Sequence, residues 1–158
     1  MKKLSTSGPS EAQIELFQDA FWGAKRALAE ATEAAFRRHG VRAGQQFILR
    51  CLWDEDGMSP GQIARRLGLA TPTVTKATAR MEAAGLLVRR PHPSDRRLVR
   101  LELTERGRSL RGTVDREVAG LTRRALAGLD DGARARLIDN LAAMRRNLVE
   151  PGRGRPPA

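Results

Sequence analysis

The chain has 158 residues, the size of one ordinary domain, and 41% of them are hydrophobic, enough for a core but with no apolar run long enough to span a bilayer. Aromatics make up 4% and Tyr is absent, so a core must come from Leu, Ala, Val and Ile, which suits packed helices better than an aromatic-rich β-sandwich. Lys and Arg number 29 against 18 Asp and Glu, and the net charge of +11 points to a polyanionic partner. A single Cys excludes an intrachain disulfide and no apolar signal segment follows Met1-Lys2-Lys3, so a reducing, cytoplasmic setting is expected.

The charge is uneven. Between Ser59 and Arg111 twelve basic residues stand against four acidic ones, so a third of the chain carries +8 of the +11 while the flanks are close to balance. The middle is where a phosphate backbone would dock.

In chain order, Ser10 with Gln13 three residues on reads as a capping box that opens a helix running to about His39. Its apolar positions Ile14, Phe17, Phe21, Ala24, Leu28, Ala31 and Ala35 recur at intervals of three and four, with Trp22 and Phe36 beside the stripe. A seam that long calls for a partner helix. Gly40 and Gly44 frame a break, after which Phe47, Ile48, Cys51 and Leu52 form the inward face of a short helix that stops at Asp54-Glu55-Asp56-Gly57. Ser59 caps a third helix, with Pro60 at its first position, Gln62 completing a second capping box, and Ile63, Ala64 and Leu67 facing inward.

Gly68 fits the left-handed position that closes that helix and Leu69 the hydrophobic contact beside it, while Thr71-Pro72 starts the next, so the two form a helix-turn-helix. The fourth helix, about Pro72 to Ala84, gathers Val74, Ala77, Thr78 and Met81 into one arc. Pro72, Lys76, Ala79 and Arg80 lie opposite, with Thr73 and Thr75 on the flanks, so the outer face is small, polar and basic. Gly85 ends it. Leu86 to Arg90 and Leu98 to Leu103 read as strands around a turn, Pro91 to Arg97, rich in Pro and charge, with Val99, Leu101 and Leu103 on the buried face of the hairpin.

Thr104 caps a long fifth helix carrying Leu110, Val114, Val118, Leu121 and Ala125, and Asp130 or Asp131 caps a sixth with Leu137, Leu141, Met144 and Leu148. The expected fold is mostly α with a small β-hairpin wing. A winged helix-turn-helix domain, residues 40–104, is flanked by dimerisation helices, residues 10–39 and 105–150. Residues 1–9 and the basic tail 151–158 lack the apolar content to pack and are expected to be disordered.

This order of elements resembles the MarR (multiple antibiotic resistance regulator) family of winged-helix transcription factors over about Ser10 to Glu150. The motifs that carry the resemblance are Ile63-Ala64-Arg65-Arg66-Leu67-Gly68-Leu69, Thr73-Val74-Thr75-Lys76, Met81-Glu82-Ala83-Ala84-Gly85-Leu86-Leu87, Arg89-Arg90, Asp95-Arg96-Arg97 and Leu103-Thr104-Glu105-Arg106-Gly107. The resemblance implies a homodimer on double-stranded DNA, most often a repressor, with a pseudo-palindromic operator whose half-sites lie about one helical turn apart. It places the recognition helix on Pro72 to Ala84, with Thr71, Thr73, Thr75, Lys76 and Arg80 as DNA contacts. The wing would add Arg89, Arg90, Ser94, Asp95, Arg96 and Arg97, with Arg96 or Arg97 in the minor groove and Asp95 pairing with a neighbouring Arg to fix the tip. It also implies a small anionic or aromatic effector where the dimerisation helices meet the winged domain, near Phe17, Phe21, Trp22, Phe47, Cys51 and Met58.

Each of these readings has a plainer rival. Arg65, Arg66, Arg106, Arg108 and Arg111 belong either to phosphate contacts or to a solvated face. Cys51 shares its helix face with Phe47 and Ile48, which disfavours a thiolate, and no second Cys is present to resolve a sulfenic acid, so a packed thiol is expected rather than a redox sensor. His39 and His92 bring no ligand cluster, so no metal and no cofactor are expected. No phosphate loop or nucleophile triad assembles either, which excludes an enzyme, and no helix suits a membrane surface. The rival function is a winged-helix interaction or architectural module that binds DNA without sequence preference. Against it stands the lack of large apolar side chains on the outer face of Pro72 to Ala84.

Overall fold

Local signals set the first and third helices. In a computed structural model, which describes residues 8–95 and 98–149, α1 spans Glu11–Arg37 and α3 spans Pro60–Leu67. Both begin with complete capping boxes. The Gln13 N–H donates to Ser10 Oγ (3.3 Å) while the Ser10 N–H donates to Gln13 Oε1 (2.9 Å), and Ser59 and Gln62 repeat the exchange at 3.2 and 2.7 Å. Between them, α2 (Gln45–Asp54) has no side-chain cap on its Gly44. The orphan amides before it are satisfied instead by Gln45, whose Oε1 accepts from the Arg42 N–H (2.9 Å), and Gln46, whose Oε1 accepts from the Gly44 N–H (2.6 Å). That is why two glutamines are buried there.

Gly68 adopts φ 65°, ψ 34°, and the Leu69 N–H reaches the Ala64 carbonyl (2.9 Å) while the Gly68 N–H reaches that of Arg65 (3.3 Å), which closes α3 as a Schellman motif. Leu69, expected as its hydrophobic contact, is instead 48% exposed, so hydrogen bonds rather than packing make this turn. Next come α4 (Thr71–Ala83) and the antiparallel strands β1 (Leu87–Pro91) and β2 (Val99–Leu103), with Leu87 opposite Leu103, Arg89 opposite Leu101 and Pro91 opposite Val99. The loop before α3 extends this hairpin: the Leu101 N–H donates to the Met58 carbonyl (2.9 Å), the Gly57 N–H to that of Leu101 (3.0 Å), and the Leu103 N–H to Asp56 Oδ1 (2.9 Å).

The described residues form two compact units, divided between Leu121 and Thr122. The core of the first joins Phe36 and Val41 to Ile48, Leu49 and Leu52 of α2, Ile63 of α3, Val74 and Met81 of α4, Leu86, Leu87, Leu101 and Leu103 of the wing, and Val114. Several inward faces differ from the expected ones. Phe36, placed beside the seam of α1, is fully buried, whereas Phe17 of the seam is 52% exposed. On α2, Phe47 points outward and Leu49 takes its place, because the helix begins at Gln45 and both glutamines turn inward with Ile48 and Leu52. Val99, at the far end of the hairpin from the core, is exposed, and only Leu101 and Leu103 of that strand are buried.

The single fifth helix is interrupted. It divides into α5 (Glu105–Ser109) and α6 (Arg111–Ala125), where the Ser109 hydroxyl bonds back to the Arg106 carbonyl (2.9 Å) and competes with the backbone ladder. Thr104 caps α5 through the Gly107 N–H (3.0 Å). In the second unit α7 (Asp131–Val149) is capped by Asp130, whose Oδ1 accepts from the Ala133 N–H (2.7 Å), and none of its residues is buried. Arg96, Arg97 and the tail 151–158 lie outside the described residues, as does the N-terminus except Gly8 and Pro9. The division between the two units falls inside α6.

Candidate nucleic-acid interface

The outer face of α4 follows from helical geometry. Val74, Thr78 and Met81 are fully buried, so at 100° per residue Pro72, Lys76, Ala79 and Arg80 turn to solvent, and all four are exposed. The capping position is Ala70, which offers no side-chain oxygen, so the positive end of α4 has no capping side chain and no acidic residue in its first turn. Thr71 and Thr73 are exposed in its first turn, and the Thr75 hydroxyl donates back to the Thr71 carbonyl (3.0 Å), leaving its oxygen as an acceptor.

The basic middle sorts into two classes. Arg66 pairs with Asp54 (3.1 Å), Arg108 with Asp56 (2.6 Å) and Arg100 with Glu102 (2.5 Å), to which Arg90 also reaches at 3.9 Å. Arg111 lies 3.9 Å from Asp54, and Arg106 donates to the backbone carbonyls of Ala84 and His39. These arginines, some expected at phosphates, are engaged within the chain. The side chains of Arg65, Lys76 and Arg80 have no hydrogen-bond or ion-pair partner among the described residues. Two of those three sit side by side on the outer face of α4.

On the wing, strand parity separates Arg89 from Arg90. Arg89 shares the face of Leu87 and Leu101 and turns toward α4, while Arg90 lies on the opposite face with Arg100 and Glu102. Ser94 and His92 bond each other at the start of the turn (Oγ to Nδ1, 2.9 Å), and the Asp95 carbonyl accepts from the Leu98 N–H (3.0 Å). The minor-groove candidates Arg96 and Arg97, and with them the expected pairing of Asp95, lie outside the described residues.

The six residues grouped as an effector pocket fall into separate places. Phe17, Phe21 and Trp22 form a ring cluster on α1, stacked at 5.5 Å and edge-on at 5.3 Å, with Lys25 Nζ 4.6 Å from the Trp22 ring centre. Phe47 is exposed on α2, whereas Cys51 and Met58 belong to the core. A cavity of about 260 Å³ is lined by Arg50, Trp53, Asp54, Arg111 and Asp115, and another of about 470 Å³ by Glu33, Arg42, Ala43 and Arg80; neither includes any of the six.

Burial pushes the Cys51 thiol up, with Arg66 opposing in part. The native state then holds its proton longer than the unfolded chain, so this group's contribution to stability is lost as pH rises past the ordinary thiol range. In native protein the thiol should react with a disulfide reagent at least tenfold more slowly than in urea-unfolded protein at the same pH, read by absorbance. Equal rates would show that Cys51 is accessible.

Two carboxylates fix the corner after α1. Glu33 is held below its usual range first by the Ala43 N–H (2.9 Å) and then by Arg42, and Glu117 first by His39 (3.2 Å) and then by Arg38. Their contribution is present above the ordinary carboxylate range and lost as pH falls through it.

The sequence profile of the MarR family matches residues 42–99, which hold α2, the helix-turn-helix and β1. The HTH-type transcriptional regulator TtmR of Methylorubrum extorquens (strain PA1) is 35% identical over 132 residues, 82% of this chain and 65% of that protein. The chain therefore spans just under two thirds of that relative's length. Among solved structures, a MarR transcriptional regulator from Methanosarcina mazei Go1 superposes with a TM-score of 0.73 at 23% identity, over 85% of this chain and 97% of that one. Reduced AbfR bound to DNA superposes at 0.69 and 22% identity, over 89% and 99%. The superpositions establish the same winged-helix arrangement, and the profile and the relative tie its sequence to one family. Residues 42–99 carry the sequence profile of the MarR family, set in a winged helix-turn-helix fold.

Proposed function

We propose that this protein is a cytoplasmic, homodimeric, sequence-specific DNA-binding regulator, a repressor that reads a pseudo-palindromic operator in double-stranded DNA. The observation that carries the reading is the outer face of α4, where Lys76 and Arg80 are exposed and unpaired among the described residues while most neighbouring arginines are spent on internal pairs. A small-residue face with two free cations fits a major groove, where Arg bonds guanine O6 and N7 together and Lys reaches the same acceptors. AbfR, whose fold this chain shares, has been solved on DNA, which supports the same docking here. Release by a small aromatic or anionic effector belongs to the same proposal, with the ring cluster of Phe17, Phe21 and Trp22 on α1 as its candidate surface.

Operator selection with purified protein, followed by footprinting, tests the reading. Arg80→Ala or Lys76→Ala should lose about 1 to 3 kcal/mol of discrimination at one or two base positions with the melting curve unchanged. If both variants keep the wild-type preference across an operator panel, α4 does not read bases through this face.

A further inference from the structure

Arg89 stands at the wing but is turned away from solvent. It lies on the inward face of β1 opposite Leu101, and its side chain is 30% exposed. Its Nη2 donates to the Thr75 carbonyl (3.0 Å) and to Thr78 Oγ1 (3.2 Å), its Nε is 3.4 Å from Glu82 Oε2 in an ion pair, and its own backbone N–H donates to Glu82 Oε1 (3.0 Å). Thr75, Thr78 and Glu82 span two turns of α4 on the side that faces the wing. Lys76, Ala79 and Arg80 lie inside that span on the outer side. One guanidinium thus fastens the middle and the end of α4 to the adjacent strand: Nη2 holds both Thr oxygens, and Nε, buried without a hydrogen-bond acceptor, meets the Glu82 carboxylate through charge alone, a planar arrangement that a Lys ammonium does not reproduce.

We propose that Arg89 is a positioning residue: together with Glu82 it sets the roll of α4 against the wing, and so decides which base edges Lys76 and Arg80 address, without itself touching DNA. The proposal rests on the DNA-reading function given above. A rotation of one helix about its axis by a few tens of degrees moves the tip of a long side chain by several ångströms, more than a bidentate base contact tolerates.

The test uses Arg89→Lys and Glu82→Gln in the full chain. Arg89→Lys keeps the positive charge, so a phosphate-binding role predicts nearly unchanged affinity and salt dependence. The positioning role predicts that the ratio of operator to random-DNA affinity falls roughly tenfold, with the salt slope kept. Glu82→Gln removes a negative charge that a DNA surface would repel, yet it should lower the same ratio. Hydrogen exchange on DNA-free protein supplies a readout independent of DNA: amides of residues 78–82 should exchange faster in both variants than in wild type. Arg89→Lys with wild-type discrimination and exchange overturns the proposal, as does Arg89→Ala that flattens the log-log salt slope by about one. If wild type itself shows no sequence preference, the DNA-reading function fails, and the exchange data alone decide whether Arg89 holds α4.

Discussion

Gly107→Ala should destabilise the protein by on the order of 3 kcal/mol, although an alanine is the better helix former. Gly107 is buried in the first turn of α5 and is engaged on both sides: its N–H donates to Thr104 Oγ1 (3.0 Å) and its carbonyl accepts from Trp53 Nε1 (2.9 Å). A Cβ built there falls well inside van der Waals contact of the Leu86 carbonyl oxygen and 3.1 Å from Leu103 Cδ2. The Leu86 carbonyl cannot step aside, because it accepts from the Thr104 N–H (3.1 Å) where α4 hands over to the wing. Added volume must therefore push α5 away from the wing, at the cost of overpacking and of the Trp53 bond. Gly112→Ala is the control: it sits on the exposed face of α6, where a Cβ meets only Arg116 Nη1 at 3.4 Å, and it should be neutral or stabilising by up to about 1 kcal/mol. Urea unfolding of both reads the opposite signs. Equal, small changes would mean that α5 is not seated against Leu86.

Features decided by neighbours in sequence were legible in advance. The capping boxes at Ser10 and Ser59 and the left-handed Gly68 depend on residues at most a few positions apart, and they form as their spacing requires. The outer face of α4 was legible for the same reason, since one helical arc fixes it from both sides. Features decided by distant partners were not. Phe36 is buried because Val41 and α2 fold over it, which the stripe of α1 does not encode, and Gln45 and Gln46 are inside because they serve amides of the preceding loop. In sequence Arg65, Arg66, Arg106, Arg108 and Arg111 fit phosphate contacts or a solvated face equally, because whether each is free depends on groups far along the chain, such as Asp56 for Arg108. Arg89 did have a usable signal. Strand alternation puts it on the face of Leu87, and only its charge suggested an outward role.

At micromolar concentration the wild-type protein should sediment as a homodimer, with a melting temperature that rises with protein concentration. The argument lies in surfaces that the single chain leaves open. On α1, Leu16, Phe17, Trp22 and Leu28 are each more than half exposed, and α7 exposes Leu137, Ile138, Leu141, Leu148 and Val149 without burying one residue. A helix of 19 residues with no buried side chain has little beyond intrinsic propensity to hold it, whereas most helix stability in proteins comes from packing an apolar face. Burying each large apolar side chain contributes about 1.5 to 3 kcal/mol. These nine are on average little more than half exposed, so each gains roughly 0.9 to 1.7 kcal/mol, and the nine from each copy together exceed an association cost of roughly 4 to 15 kcal/mol. Phe17→Asp combined with Leu141→Asp places a carboxylate in the seam of each helix, at several kcal/mol per unpaired charge. That variant should lose dimerisation, α7 helicity and operator binding together, as sedimentation, circular dichroism and gel shift would show. A wild-type chain that sediments as a well-folded monomer, with α7 still helical, would refute the dimer and leave the operator without a two-fold reader.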